Sequence, residues 1–221
     1  MTLNSSKNLG GLGAILMFVG VFPYINFFGI LELIGAILIL VGLHGFASHY
    51  SERGIFNNAI YGFLAAIVGG IVAIAIAIAI VLPNVTSFIE KIYPGWNGDW
   101  TTLSQFTSQT PVTTNLTPSD ILPFVSAAIV VFIILWIFAI ISAIFFRRSL
   151  KLVSNKTTVG LFSTAGLLLL IGAGLIIIFG LGLILMWIAT LILAIAFFTM
   201  KPRVEEQPMV TTASPPPPTP V

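Results

Sequence analysis

Apolar residues come in five long runs along this chain, and the polar residues between them fix where helices begin and end. The first run, about 9–25, stops at Pro23-Tyr24, and Asn26 marks a tight turn into the second, about 27–46. A third covers about 57–82. Its tract Ala73-Ile74-Ala75-Ile76-Ala77-Ile78-Ala79-Ile80 alternates at period two, as a strand would. Both alternating types are apolar, however, and the run exceeds the ~18 residues that mark a membrane span, where an open strand would leave its backbone unsatisfied. The tract therefore predicts a helix. A fourth run spans about 121–146. The fifth, Val159 to Met200, would reach ~60 Å as a single helix, so it must fold back, and Gly180-Leu181-Gly182 is the natural turn. Helices at about 160–179 and 182–200 result.

The expected architecture is all-α: a polytopic membrane bundle of six transmembrane helices in three hairpins, occupying residues 1–200. Residues 83–120, rich in Thr, Ser and Asn, form a long loop. Residues 201–221 end in Pro215-Pro216-Pro217-Pro218-Thr219-Pro220, which favours extended polyproline II and predicts a disordered tail. Lys7 ahead of Leu9–Phe22 could open a secretory leader. The run lacks a small-x-small cleavage site before Pro23, and the reading here is a span.

Charge supplies the orientation. Of nine Lys and Arg residues, Lys7, Arg53, Arg147, Arg148, Lys151, Lys156, Lys201 and Arg203 fall on one side of the threaded chain, and Lys91 alone on the other. Basic loops are retained in the cytoplasm, so both termini are expected inside and loop 83–120 outside, in the cell membrane. Composition agrees, with 57% hydrophobic residues, 7% charged residues and a mean hydropathy of +1.10. Soluble domains carry about 25% charged residues, and no stretch here is left over for a soluble catalytic module. The net charge of +2 is accounted for by helix ends and implies no nucleic acid. The absence of cysteine removes disulfides, thiolate metal sites and cysteine nucleophiles.

Helix association in lipid depends on close packing at small residues. Ala65, Gly69, Ala73 and Ala77 recur at steps of four in the third helix. Gly182, Ala189 and Ala196 recur at steps of seven in the sixth, and Gly13 and Gly20 mark the first. These stripes predict a compact bundle. The ladder on the third helix suits intrachain packing, with a homo-oligomer seam or a membrane-protein partner as the other use. The first and last hairpins also look like weak parallel repeats at a shift of 153, which pairs Gly13 with Gly166 and Gly29 with Gly182.

Groups able to carry chemistry are few. Glu32 is the one acid inside an expected span, and an ionisable group there is by default a functional candidate for a proton or ion, against a structural or shallow interfacial role. His44, His49 and Glu52 cluster near the inner end of the second helix, but only His49 and Glu52 share a helical face, too few ligands for a metal. Tyr93, Trp96 and Trp100 are expected as interfacial aromatic anchors. Asn84-Val85-Thr86 and Asn115-Leu116-Thr117 are outer glycan acceptor sequons. No nucleophile elbow, zincin His pair, phosphate loop or intramembrane Asp pair is present, so no catalytic set and no cofactor are expected.

Lys7-x-Leu9-Gly10-Gly11-Leu12-Gly13, Ile55-Phe56-Asn57-Asn58-Ala59-Ile60-Tyr61-Gly62 and Ala194-Ile195-Ala196-Phe197-Phe198 resemble the domain-of-unknown-function family 996, small multi-pass membrane proteins of archaea and some bacteria. The likeness extends over roughly residues 5–200, apart from the Thr-rich loop. It implies a membrane location and carries no functional residue with it. The expected role is non-enzymatic: packing, scaffolding or partnering in the membrane. The alternative is a small transporter or channel that uses Glu32, with Ser126, Ser142, Ser163, Thr164 or Thr190 along its path.

Overall fold

A computed structural model of the chain describes residues 2–22, 29–106, 110–113, 116–178 and 180–200. These residues are helical with no strands among them: α1 (Leu3–Gly20), α2 (Ile30–His49), α3 (Arg53–Ile92), the single turn α4 (Leu103–Phe106), α5 (Pro118–Thr157), α6 (Gly160–Leu175) and α7 (Leu181–Thr199). The Ala-Ile tract lies within α3, as lipid-side energetics require. Four helices, α2, α3, α5 and α7, are long and apolar enough to cross a membrane.

Several boundaries differ from the sequence reading, each for a physical reason. α1 starts at Leu3, because the Thr2 hydroxyl accepts from the Ser5 N–H at 3.2 Å and caps it. α3 does not stop at residue 82. It passes through Pro83 to Ile92, carried by Val85, Phe88, Ile89 and Ile92 at helical spacing; the Phe88 ring meets Phe124 of α5 at 5.0 Å, and Lys91 pairs with Asp120. At its other end α5 runs beyond residue 146 to Thr157, because Leu150 and Val153 are buried against the bundle. The expected outer loop therefore shrinks to the segment between Ile92 and Pro118. The turn residues 23–28, Asn115 and the tail 201–221 lie outside the described residues.

α2 and α7 each begin on a left-handed glycine, Gly29 at φ 73° and Gly180 at φ 72°, which a residue with a Cβ would adopt only with strain. The two turns correspond at a shift of 151, two residues off the 153 that the sequence suggested, so the apparent repeat does not keep register between hairpins.

The helices form a closed ring. Each of α1, α2, α3, α5, α6 and α7 packs against its neighbours in the chain, and α7 returns to α1. Small residues make the seams possible. In the first hairpin a Cβ added to Gly13 would stand 2.5 Å from the Gly35 carbonyl oxygen; in the last, a Cβ on Gly172 would stand 2.8 Å from that of Gly182. Gly69 faces the Phe138 ring and Ala73 is buried beside it, so the ladder on α3 serves the seam with α5 within the chain; Ala65 and Ala77 at its ends are half-buried. Ala189 and Ala196 of α7 are fully buried. The closing seam is pinned by Trp187, which stacks on Phe18 at 4.7 Å and donates from its indole N–H to the Phe18 carbonyl at 3.0 Å, and by Lys7, which donates to the Met200 carbonyl at 2.7 Å.

Candidate functional site

Within the ring lies a cavity of about 390 Å³, to which every one of the six long helices contributes. Met17 comes from α1; Glu32, Leu33, Ala36 and Ile39 from α2; Phe63 and Ala66 from α3. Ala139, Ser142, Ala143, Phe146 and Leu150 come from α5, Leu169 from α6, and Met186, Thr190 and Leu193 from α7. The lining is apolar apart from Glu32, Ser142 and Thr190. Thr190 spends its hydroxyl on the Trp187 carbonyl of its own helix at 2.7 Å, which leaves little donor capacity facing inward.

Glu32 occupies the first turn of α2, where the helix dipole favours an acid. Its carboxyl group lies over Gly20 of α1, so close that a Cβ on Gly20 would approach the Glu32 carboxyl carbon to 2.9 Å. Gly20 thus seats the acid, a more specific role than the general packing its position suggested. Of the hydroxyls expected along a path, Ser142 and Thr190 reach the cavity. Ser126 and Thr164 instead bond to the carbonyls of Pro123 and Gly160 in their own helices, and Ser163 does not line the cavity.

One end of the ring is plugged. Phe46 of α2, Phe162 of α6 and Phe197 of α7 are all fully buried, with ring centroids 5.1 to 6.3 Å apart, two of the three pairs edge to face. They lie at the end that carries Lys7, Arg53, Arg147, Arg148, Lys151 and Lys156. Sideways the cavity is less closed: Leu33 of α2 and Ala66 of α3 are the exposed residues of its lining, which puts its opening in the α2/α3 seam.

The same seam holds a second, polar cleft of about 580 Å³ at the basic end. His44, Ala47 and Ser48 of α2, Ser51 of the turn, and Arg53, Phe56 and Asn57 of α3 surround it. Ser51 takes a left-handed φ of 50° in the three-residue turn between the helices. The His44 ring meets the Phe56 ring edge to face at 4.7 Å. His49 lies instead on Tyr50, and Glu52 pairs with Lys156 at 3.3 Å, so His44, His49 and Glu52 do not converge. Among the described residues no three His, Asp or Glu side chains could share a metal.

At the far end, Trp96 is 4% exposed, its indole N–H donating to the Asp99 carbonyl at 2.8 Å and its ring edge to face with Trp100. It ties the segment between α3 and α5 together rather than projecting as an anchor, whereas Trp100 is exposed and Tyr93 half-buried. The Asn84 amide donates to the Ile80 carbonyl at 2.7 Å, which places that sequon inside α3.

The cavity was the feature least visible in the sequence. Phe63, Ala66, Ala139, Phe146 and Met186 carry no pattern that separates a cavity wall from an ordinary packed face. Only the ring brings them together.

Comparison with known proteins gives the relationship. The chain is 28% identical over 173 residues to an uncharacterised protein of Methanocaldococcus jannaschii, a match covering 78% of each chain. No solved structure matches it. The family described as Protein of unknown function (DUF996) matches residues 31–191, a stretch that contains Glu32, the polar cleft and most of the cavity wall. It also contains the Thr-rich segment between α3 and α5 that the sequence resemblance left out, while the motifs at Lys7–Gly13 and Ala194–Phe198 fall beyond its ends. The chain belongs to the domain-of-unknown-function family 996.

Proposed function

We propose that this chain is a six-span protein of the cell membrane with both termini inside, that its role is non-enzymatic, and that its ring of helices accommodates an apolar molecule of the membrane. The observation that carries the reading is the cavity of about 390 Å³, within the ~300–1,000 Å³ of small-molecule sites and walled almost wholly by hydrocarbon. Apolar cavities of this kind stay dry and take apolar guests. The gathering of six basic residues at the plugged end supports the orientation, since that end would face the cytoplasm. The bilayer is the solvent of the outer faces. Ile71, Ile74, Ile78 and Leu82 of α3 are 55 to 62% exposed and give lipid, or another membrane protein, an unbroken apolar surface.

The test is occupancy. An apolar naphthalene fluorophore added to the purified protein in micelles is expected to brighten on entering the cavity, and Ala139→Phe, which fills it, is expected to abolish the signal. An equal signal from both proteins would overturn the reading.

A second reading, transport through Glu32, is favoured by the seat of that carboxyl group at the end of the cavity opposite the aromatic plug. The plug speaks against an open channel and leaves a carrier that alternates its openings. Proton or cation flux into liposomes that disappears with Glu32→Gln would support it; flux indifferent to that change would remove it.

A further inference from the structure

Two features share the α2/α3 seam: a polar cleft at its basic end and an opening into an apolar cavity farther along. We infer that together they form a binding site for a single anionic phospholipid of the inner leaflet, its phosphate in the cleft and one acyl chain running up the seam to the opening. The inference rests on the orientation proposed above, and it names the guest of the same cavity.

The cleft has the chemistry of a phosphate site. Arg53 supplies a guanidinium, which binds phosphate oxygens through paired N–H donors. It has no acidic partner among the described residues, whereas Glu52 beside it is taken by Lys156. Ser51 and Asn57 add neutral donors, Ser48 spends its hydroxyl on the His44 carbonyl at 3.1 Å, and the His44 ring stands at the wall against Phe56. No acid lines the cleft. Its floor, Ala47 and Phe56, is hydrocarbon, which suits the glycerol end of a lipid better than a fully hydrated ion.

The spacing fits a chain. From Asn57 to Ala66 along α3, and from His44 to Leu33 along α2, the helices advance ~15 Å at 1.5 Å per residue. That is half of a ~30 Å hydrocarbon core, the reach of acyl chains in one leaflet. Leu33 and Ala66, both exposed at the seam, then stand where a chain terminus would enter the cavity. A phosphate bound without a chain would make no use of that opening.

The experiment uses the full chain in detergent micelles, with phosphatidylglycerol titrated against native mass spectrometry. A one-to-one adduct is expected. Arg53→Gln should weaken it about ten-fold, the scale of a lost charge-assisted contact, while Arg148→Gln at the same end but outside the cleft should change it less than about two-fold. Asn57→Asp, which places a negative charge at the rim without removing Arg53, should weaken it too. Ala66→Trp should weaken the long-chain lipid and spare a short-chain analogue. An adduct unchanged by both Arg53→Gln and Asn57→Asp would overturn the cleft. Inorganic phosphate competing as well as the lipid, or Ala66→Trp acting equally on both chain lengths, would overturn the seam. Micelles have no sidedness, so an inverted topology found in cells would remove the inner-leaflet assignment and leave the binding result standing. Likewise, fluorophore occupancy without lipid binding would overturn this inference alone.

Discussion

At the scale of single residues, glycines decide how near the helices come. Gly13 and Gly35 meet backbone to backbone, and an added Cβ on Gly35 would stand 2.6 Å from the Gly13 carbonyl oxygen. Overpacking of this kind costs about 1–3 kcal/mol, so Gly35→Ala is expected to lower the thermal midpoint of the protein in detergent. Gly70 and Gly174 have nothing within 4 Å of where a Cβ would sit. Alanine at either is expected to be neutral or to stabilise by up to about 1 kcal/mol through helix propensity, and equal losses at all three positions would contradict the packing described. Sequence spacing identified Gly13 as a contact glycine. The four-residue ladder on α3 likewise included Gly69, which faces Phe138, and passed over Gly70 next to it.

Asp120 gives a residue-scale prediction of another kind. The Lys91 ammonium beside it, with the hydroxyl and N–H of Thr117, holds its carboxyl group down at about 2, against an ordinary 3.8. A depressed carboxylate contributes above its ordinary value and loses that contribution as pH falls through the depressed one. Between about pH 4 and pH 2 the ends of α3 and α5 joined by this pair should therefore loosen, read as lower amide protection at residues 84–92 relative to the intrinsic exchange rate at each pH. Asp120→Asn should remove the pH dependence and leave exchange fast throughout; a pH response retained in that variant would assign it elsewhere.

At the scale of elements, the existence of the helices was legible and their lengths were not. Apolar runs report where lipid lies, and they located the core of each long helix. They do not report where a helix continues beyond its apolar run. Pro83 reads as a stop because it lacks an N–H and crowds the preceding turn, yet Phe88 and Lys91 engage α5 and carry the helix past it. The signal was present in Val85, Phe88, Ile89 and Ile92, an amphipathic spacing masked by the polar residues around it. The seam between α1 and α7 was invisible, since nothing in the sequence links Phe18 to Trp187. Trp187→Phe keeps the stacked ring and loses the hydrogen bond, an expected cost of about 1 kcal/mol, whereas Trp187→Ala should cost about 3–5 kcal/mol. Chemical or thermal denaturation of the two variants orders them, and equal effects would show that the ring contributes nothing.

At the scale of the molecule, unequal helix lengths shape the bundle. α3 and α5, of 40 residues each, would reach ~60 Å, about twice the length of α1, α2, α6 or α7. The Trp136 indole donates to the Ala173 carbonyl at 3.0 Å, near the end of α6, so the first part of α5 and its partner stretch of α3 continue beyond the α6/α7 turn as a two-helix arm. The ring and its cavity occupy the other half, between the aromatic plug and Glu32. A cavity there depends on closure: without α7 against α1 the space would open to lipid and hold nothing specific.

Closure is therefore what most needs measuring, and the chain has no native cysteine to interfere. Lys7→Cys and Met200→Cys, placed where the two helices are joined by a hydrogen bond, would be treated with a short bis-maleimide in native membranes. A crosslinked monomer in high yield is the expected result. Single cysteines that each react while the pair never joins within one chain would show an open bundle, and would contradict both the ring and the cavity it encloses.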